Sequence, residues 1–488
     1  MRPLICEIET AHTPESLVDQ LMAVRRDQPH AVLLRGNGDA ARYSFVTANP
    51  ILVFRSFGSR CEIIQNGNPF IEHVQFGNPW QVLDALMSRF EVLDEVDLPF
   101  PLGGCFGFWG YDLKNFTEPK LPRRALNDLE LPDCHVGFYD SLVIFDHQLH
   151  KTFIVSTGLA PDGSRNEHRA HERFETWLTF LNRPVKMPPH WRGMDASPGE
   201  KAVASNLSRV DFLNAVQRAQ QYIRAGDIYQ VNLSQRLAIT HSLTGWQFFQ
   251  RLYDVSPAPF AAFLDCGDFQ VASSSPEQFL RLSGSHAVTR PIKGTRPRDA
   301  DPARDARLAY ELQTSAKELA ELVMITDLLR NDLGKVCEFG SVQVPDLARL
   351  EKFAQVQHLV STVEGRLRPD VTHFAALASC FPGGSITGAP KFRAMEIIDE
   401  LEPVSRGPYC GCHGYLGFNR ESQLSITIRT AICLREKIYF NAGAGIVADS
   451  NPEAEYAETL AKAAGFLAAL NNRNQCNELN RIVSSDVG

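Results

Sequence analysis

Short apolar segments with period-two alternation recur along the whole chain, and the helical patterns among them do not follow strands one for one. That arrangement excludes a doubly wound parallel sheet, in which each strand is followed by a crossover helix, and predicts an α+β fold. In the first part of the chain the strand-like runs fall at 31–34, 51–54, 62–64, 141–145 and 151–155, with helical patterns near 81–92 and 166–182. Residues 103–110 read Gly-Gly-Cys-Phe-Gly-Phe-Trp-Gly, and glycines alternating with aromatics predict backbone packed against rings in a core rather than a cofactor loop. A stretch from Arg183 to Ala204 then carries prolines at 184, 188, 189 and 198 with little periodicity, which marks a linker. The expected organisation is a β-rich unit at 1–183, a larger one at 205–470 and a polar C-terminal tail at 471–488.

Beyond the linker the pattern strengthens. Phe212, Val216, Ala219 and Ile223 share one helical face, and Gly226 is a suitable stop. Residues 230–239 alternate as a strand. Helices are expected at 317–333, with Leu319, Leu322, Val323 and Leu329 on the apolar side, and from Asn451-Pro452 to Leu470, where an N-cap is followed by proline at the first helical position.

Composition removes several functional classes. With 44% hydrophobic and 22% charged residues, the 488-residue chain has an ordinary globular make-up, and a net charge of -8 gives no basic footprint for nucleic acid. No apolar run approaches the ~18 residues of a membrane span. The N-terminus meets acidic residues too early for a signal peptide. Eleven cysteines are scattered without a Cys-x-x-Cys pair, and Cys410 and Cys412 have poor zinc spacing. Buried free thiols in a cytoplasmic protein are the expectation.

Two features carry chemistry. Lys293 lies in Arg290-Pro-Ile-Lys-Gly-Thr-Arg-Pro-Arg298, where four cations occupy nine positions. Such a stretch is ordinarily a solvated basic loop, but a nucleophilic lysine also keeps cationic company. Second, Glu318 and Glu321 share one helix face, and Glu455 and Glu458 share another with Lys462 a turn further on. Like charges at that spacing repel by a few tenths of a kcal/mol, about 0.2–0.5. One pair is an ordinary wet surface. Two pairs, each beside an apolar stripe, point to a cation between helices, and all-oxygen ligation suits Mg²⁺. Whether the two helices face each other is open at this level.

Six segments together resemble the chorismate-utilising enzymes: 226–235 (GDIYQVNLSQ), 274–279 (SSPEQF), 320–334 (AELVMITDLLRNDLG), 358–365 (HLVSTVEG), 382–391 (PGGSITGAPK) and 442–452 (AGAGIVADSNP). The resemblance is dense over about 210–470 and weak over 1–180. It implies large antiparallel sheets packed as a sandwich and flanked by helices. It also implies Mg²⁺ as cofactor, held directly by Glu321 and Glu458 with Glu318 and Glu455 in reach or behind them. Arg429 is expected to fork onto a substrate carboxylate. Gly443 and Gly445 would offer backbone N–H groups to an anion, and Lys462 would bridge metal ligands and substrate. Glu277 resembles the family's general acid for the departing 4-hydroxyl, and His358 an active-site histidine beside the ring. Tyr409 and Thr387 are expected to line the pocket. Gln230 stands where isochorismate-forming members use a lysine to activate water, which a glutamine cannot do.

Position 293 separates branches of the family. Anthranilate-forming members typically read Pro-Ile-Ala-Gly-Thr, and aminodeoxychorismate-forming members Pro-Ile-Lys-Gly-Thr, as here. The resemblance therefore implies that Lys293 attacks C2 of chorismate and that ammonia later displaces it. It also implies a separate glutamine amidotransferase subunit as ammonia source, since no Gly-x-Cys-x-Gly elbow occurs in the chain. Tryptophan-regulated members carry Leu-Leu-Glu-Ser where this chain has Leu33-Leu-Arg-Gly36, although Arg42, Tyr43 and Ser44 of that possible tryptophan pocket remain. Anthranilate synthesis, or a non-catalytic chorismate-binding scaffold for a glutaminase, are the alternatives.

Overall fold

The computed structural model describes residues 2–24, 30–37, 41–65, 71–92, 98–185, 203–353 and 356–470. Most of the proline-rich stretch (186–202) and the tail at 471–488 lie outside the described residues. Among those described, the strands form two sheets of twelve, and every pairing within them is antiparallel. One sheet runs from Leu4–Ile8 at its edge through Phe260–Asp265 and Phe269–Ser275 to Lys437–Ile446 and Gln230–Thr240. The other runs from Ile71–Phe76 through Gly104–Trp109 and Cys412–Gly417 to Val356–Arg366 and Ile292–Pro297.

Both sheets draw strands from either side of the proline-rich stretch. Val32–Gly36 pairs with Phe260–Asp265, and Gly104–Trp109 pairs with Cys412–Gly417. The sheets stack face to face on an aromatic core. Phe45 of one meets Tyr415 of the other edge-on with centroids 5.1 Å apart, and Phe106 stacks on Tyr415 at 5.3 Å. Such pairs add about 0.5–1.5 kcal/mol beyond their area burial. The glycine–aromatic stretch is a central strand of this core: a Cβ on Gly107 would stand 2.2 Å from the carbonyl oxygen of His135 on the neighbouring strand.

The helices pack against the outer faces. Arg209–Ala225 ends where Gly226 takes a left-handed conformation with φ +82°, as the sequence predicts. Ser315 caps Ala316–Gly334 by accepting the N–H of Glu318. Asn451 caps Pro452–Ala469 by accepting from Glu453 and Ala454 at 2.9 and 3.2 Å. These last two are the acidic helices. Described cysteines are free thiols, and all but Cys6 are buried. No described helix is long and apolar enough to cross a membrane.

Candidate active site

Lys293 sits on Ile292–Pro297, which pairs with Val356–Arg366 so that Lys293 opposes Leu359 and Thr295 opposes His358. The register slips between Lys293 and Thr295, and Gly294 occupies the slip with φ +68°. A bulge of this kind re-aims a side chain. A Cβ at Gly294 would lie 3.1 Å from the Glu318 carboxyl, so glycine also lets that acid approach the strand. The half-buried Lys293 ammonium makes no hydrogen bond or ion pair with the described residues, and its charge is felt by Glu277 and Glu321.

The three neighbouring arginines do not crowd it. Arg290 pairs with Glu351, Arg296 reaches Glu318 at 3.7 Å, and Arg298 grips Asp305 at 2.7 Å. Each cation has its own carboxylate, and only the lysine is left to the cleft.

Glu277 is buried, and burial pushes its carboxyl above the usual range, against the pull of the Ser385 hydroxyl, the Lys293 charge and the Ile292 N–H. A carboxyl shifted in that direction keeps its proton to higher pH than a solvated one, which is what a proton donor needs. His358, also buried, has Nδ1 2.9 Å from Thr295 Oγ1 and 3.3 Å from the Gly294 carbonyl oxygen. Burial lowers its affinity for a second proton, and nearby Arg429 acts in the same direction.

The two acidic helices do face each other. Burial raises the Glu321 carboxyl, and the charges of Glu318 and Glu458 raise it further, while Lys293 and Lys317 oppose them. Burial likewise raises Glu455, whose carboxylate accepts a hydrogen bond from Ser450 at 2.6 Å and feels Glu458 from its own helix and Lys317 from the other. Lys462 bridges Glu458 at 2.7 Å and the Gly443 carbonyl oxygen at 2.8 Å. Among the described residues no three acidic, histidine or cysteine groups form a ready-made metal cage. Mg²⁺ does not need one, because it keeps several waters and takes one or two carboxylates plus substrate oxygens. Acidic side chains brought together from two helices, Glu321 of one in the field of Glu458 of the other, fit such an ion.

The wall opposite is glycine-lined. A Cβ on Gly443 would come within 2.9 Å of the Tyr409 hydroxyl, and one on Gly445 within 2.4 Å of Gln230 Nε2. Gln230 is buried and its Oε1 has no partner among the described residues. Arg429, at φ +47°, is open to solvent yet hemmed in by protein, as a side chain standing in a cleft is; the loss of surrounding water lowers its pKa. Thr387 is turned away: its buried hydroxyl donates to the carbonyls of Gly383 and Gly384 at 3.0 and 3.2 Å.

Arg406 and Glu402 form an ion pair beside Tyr409 that was not legible in the sequence. Their i,i+4 spacing reads as a surface pair, but the pair is buried, and no signal in the chain distinguishes it. Arg406 bonds both Glu402 oxygens at 2.8 and 2.7 Å and the carbonyls of Ile386 and Asn232, and lies over the Tyr111 ring at 4.7 Å. Glu402 in turn accepts from Ser234 N–H and Oγ. Removing one partner strands a buried charge, so Glu402→Ala is expected to lower unfolding free energy by about 3–5 kcal/mol. Denaturant titration checks this, with Glu91→Ala as comparison: its pair with Arg420 is partly solvated and is worth about 1 kcal/mol or less.

The N-terminal trio gathers elsewhere. Arg42 grips Asp146 at 2.9 and 2.5 Å, while the Ser44 hydroxyl accepts the Gly36 N–H at 3.0 Å and lies 2.6 Å from His147. Tyr43 lines a small pocket with Phe45, Phe260, His413 and Tyr415. Arg35 reaches Glu15, Ser44 and His147 there, at the position where tryptophan-regulated members were noted to carry glutamate.

A stacked pair of antiparallel sheets with a lysine unpaired among the described residues, a buried acid and opposed acidic helices at one cleft defines a class. The chain matches the chorismate binding enzyme family over residues 37–468 and belongs to it. Anthranilate synthase component 1 of Acetivibrio thermocellus is 40% identical over 90% of this chain and 88% of its own length. Aminodeoxychorismate synthase component 1 of Salmonella typhimurium is 41% identical over 91% and 94%. The crystal structure of anthranilate synthase component I from Streptococcus pneumoniae superposes with a TM-score of 0.75 at 31% identity, covering 88% of this chain and 93% of that one.

Proposed function

We propose that this chain aminates chorismate at C4, forming 4-amino-4-deoxychorismate, the precursor of p-aminobenzoate in folate synthesis. Identity to the two kinds of relative is nearly equal, so overall similarity does not decide between them. The observation that carries the reading is Lys293, an ammonium without a hydrogen-bond or ion-pair partner among the described residues, whose charge is felt by the acid Glu277.

The neutral Lys293 amine forms a bond to C2 while the ring double bonds shift and the C4–O bond breaks. Glu277 gives its proton to the leaving hydroxyl, which departs as water. Ammonia then bonds to C4, the double bonds shift back, the lysine leaves as a neutral amine, and the new C4 ammonium returns a proton to the Glu277 carboxylate. The net change is chorismate plus ammonia to aminodeoxychorismate plus water. Two allylic displacements replace one hard substitution. Arg429 holds a carboxylate of the substrate, and His358 steadies the ring from the lysine's side. A Mg²⁺ ion held by Glu321 and Glu458, with Glu318 and Glu455 behind them, would neutralise charge at the ring carboxylate. The relatives' title "component 1" supports a second subunit, here a glutamine amidotransferase that supplies ammonia.

Incubation of the purified chain with chorismate, an ammonium salt and Mg²⁺ tests the reading by chromatography. An amine product that yields p-aminobenzoate only after a lyase is added is expected, with EDTA stopping and Mg²⁺ restoring turnover. Pyruvate and fluorescent anthranilate would instead establish the anthranilate reaction. No turnover under any condition would leave only the scaffold.

A further inference from the structure

The Arg406–Glu402 pair lies behind the glycine wall of the cleft, and its bonds run into that wall. Arg406 uses four of its five N–H groups within the protein: two on Glu402, one on the Ile386 carbonyl at 3.0 Å and one on the Asn232 carbonyl at 2.8 Å. No fork is left for a substrate carboxylate. Glu402 extends the connection, because its Oε1 accepts the Ser234 N–H at 2.8 Å and the Ser234 hydroxyl at 3.0 Å. Asn232 and Ser234 stand opposite Gly445 and Gly443 on the paired strands Gln230–Thr240 and Lys437–Ile446. The Gly443 carbonyl in turn accepts from Lys462, the partner of Glu458. The Arg406 guanidinium also lies 5.8 Å from the centre of the Tyr409 ring and 4.7 Å from that of Tyr111. Main-chain bonds brace this turn. Tyr409 N–H donates to the Arg406 carbonyl at 3.2 Å, Tyr111 N–H to the Gly407 carbonyl at 2.7 Å, and Gly407 N–H to Asp112 at 3.0 Å. The Tyr409 hydroxyl ends 2.9 Å from where a Cβ on Gly443 would stand, so the turn meets the wall.

We propose that Arg406 and Glu402 are positioning residues that hold the glycine wall and the Tyr409 ring in one arrangement for the bound substrate. The inference rests on the reading of this cleft as the chorismate site. Both residues are buried, and they act through Asn232, Ser234 and Tyr409 rather than on the substrate. A pair that served stability alone would need only each other. This one joins three segments far apart in sequence, 230–234, 384–386 and 402–409, and a rigid planar fork sets their mutual distances. Lys293 and Glu277 belong to neither the wall nor the turn. The effect is therefore expected on substrate binding rather than on the chemical step.

Arg406→Lys keeps the charge opposite Glu402 but loses the fork. It is expected to fold, with chorismate KM raised about tenfold, the effect of losing one hydrogen bond, and kcat within about threefold of the parent. Removing one partner also destabilises, so the deciding variant removes both charges. Glu402→Gln/Arg406→Met leaves an acceptor for Ser234 and no buried charge, and its denaturation midpoint is expected nearer the parent than that of Glu402→Ala. Its KM should stay about tenfold high all the same, because the ties to Ile386 and Asn232 are gone. Kinetics are measured at a temperature where circular dichroism shows each variant folded. A KM within about twofold of the parent in either variant overturns the proposal and leaves the pair a purely structural element. A loss confined to kcat overturns it as well. Should the double variant not fold, Arg406→Lys decides on the same criterion. These ratios hold whichever amine the parent makes. An inactive parent would end the functional reading itself, and calorimetric titration of chorismate with Mg²⁺ would then make the same comparison, with about tenfold weaker binding expected in the variants and unchanged binding overturning the proposal.

Discussion

Lys293→Ala is expected to reduce ammonia-dependent turnover of chorismate by at least about 100-fold, the lower end of what a directly acting catalytic group contributes. The loss should be purely chemical. Lys293 makes no hydrogen bond or ion pair with the described residues, so its removal leaves no buried donor or acceptor unpaired. Thermal unfolding of the variant is accordingly expected to match the parent. The covalent step adds a second readout. With chorismate but no ammonia, the parent should gain the mass of chorismate less one water in an acid-quenched intact-protein spectrum, and Lys293→Ala should gain nothing. A variant within threefold of the parent rate, or an adduct that persists without the lysine, would remove Lys293 from the mechanism.

The reasons that this lysine was legible, and its surroundings less so, are physical. Local signals gave the helix at Pro452–Ala469 from an asparagine cap and a following proline, and the end of Arg209–Ala225 from Gly226. Periodicity gave Gln230–Thr240 as a strand because alternate residues choose opposite faces of a sheet. It could not give partners. The pairing of Gly104–Trp109 with Cys412–Gly417 joins segments about three hundred residues apart, and alternation fixes a strand's face but not its neighbour. Charge was misleading for the same reason. Arg290, Arg296 and Arg298 crowd Lys293 in sequence, yet each finds a carboxylate from another element. Thr387 sits in a matched motif, but its hydroxyl is consumed by the loop's own carbonyls. The opposed acidic helices were suggested by two like-charged pairs, and only the packing brings Glu321 and Glu458 within each other's field.

Glu277→Gln is expected to slow turnover by about 10²- to 10⁴-fold, the usual contribution of a positioned general acid. The amide keeps the size while losing the proton that the 4-hydroxyl must receive. The pH dependence is the sharper test. A general acid must hold its proton, so the rate carried by Glu277 should fall as pH rises through the range in which its carboxyl ionises. Burial raises that carboxyl, against the pull of Ser385, Lys293 and the Ile292 N–H, so the fall should come at higher pH than a solvated glutamate would give. A glutamine does not titrate, and in Glu277→Gln that limb should be absent from the residual rate. A pH–rate profile of both proteins, measured with free ammonia held constant, reads this directly. The same falling limb in the variant would show that another group carries it, and Glu277 would lose its place as the acid.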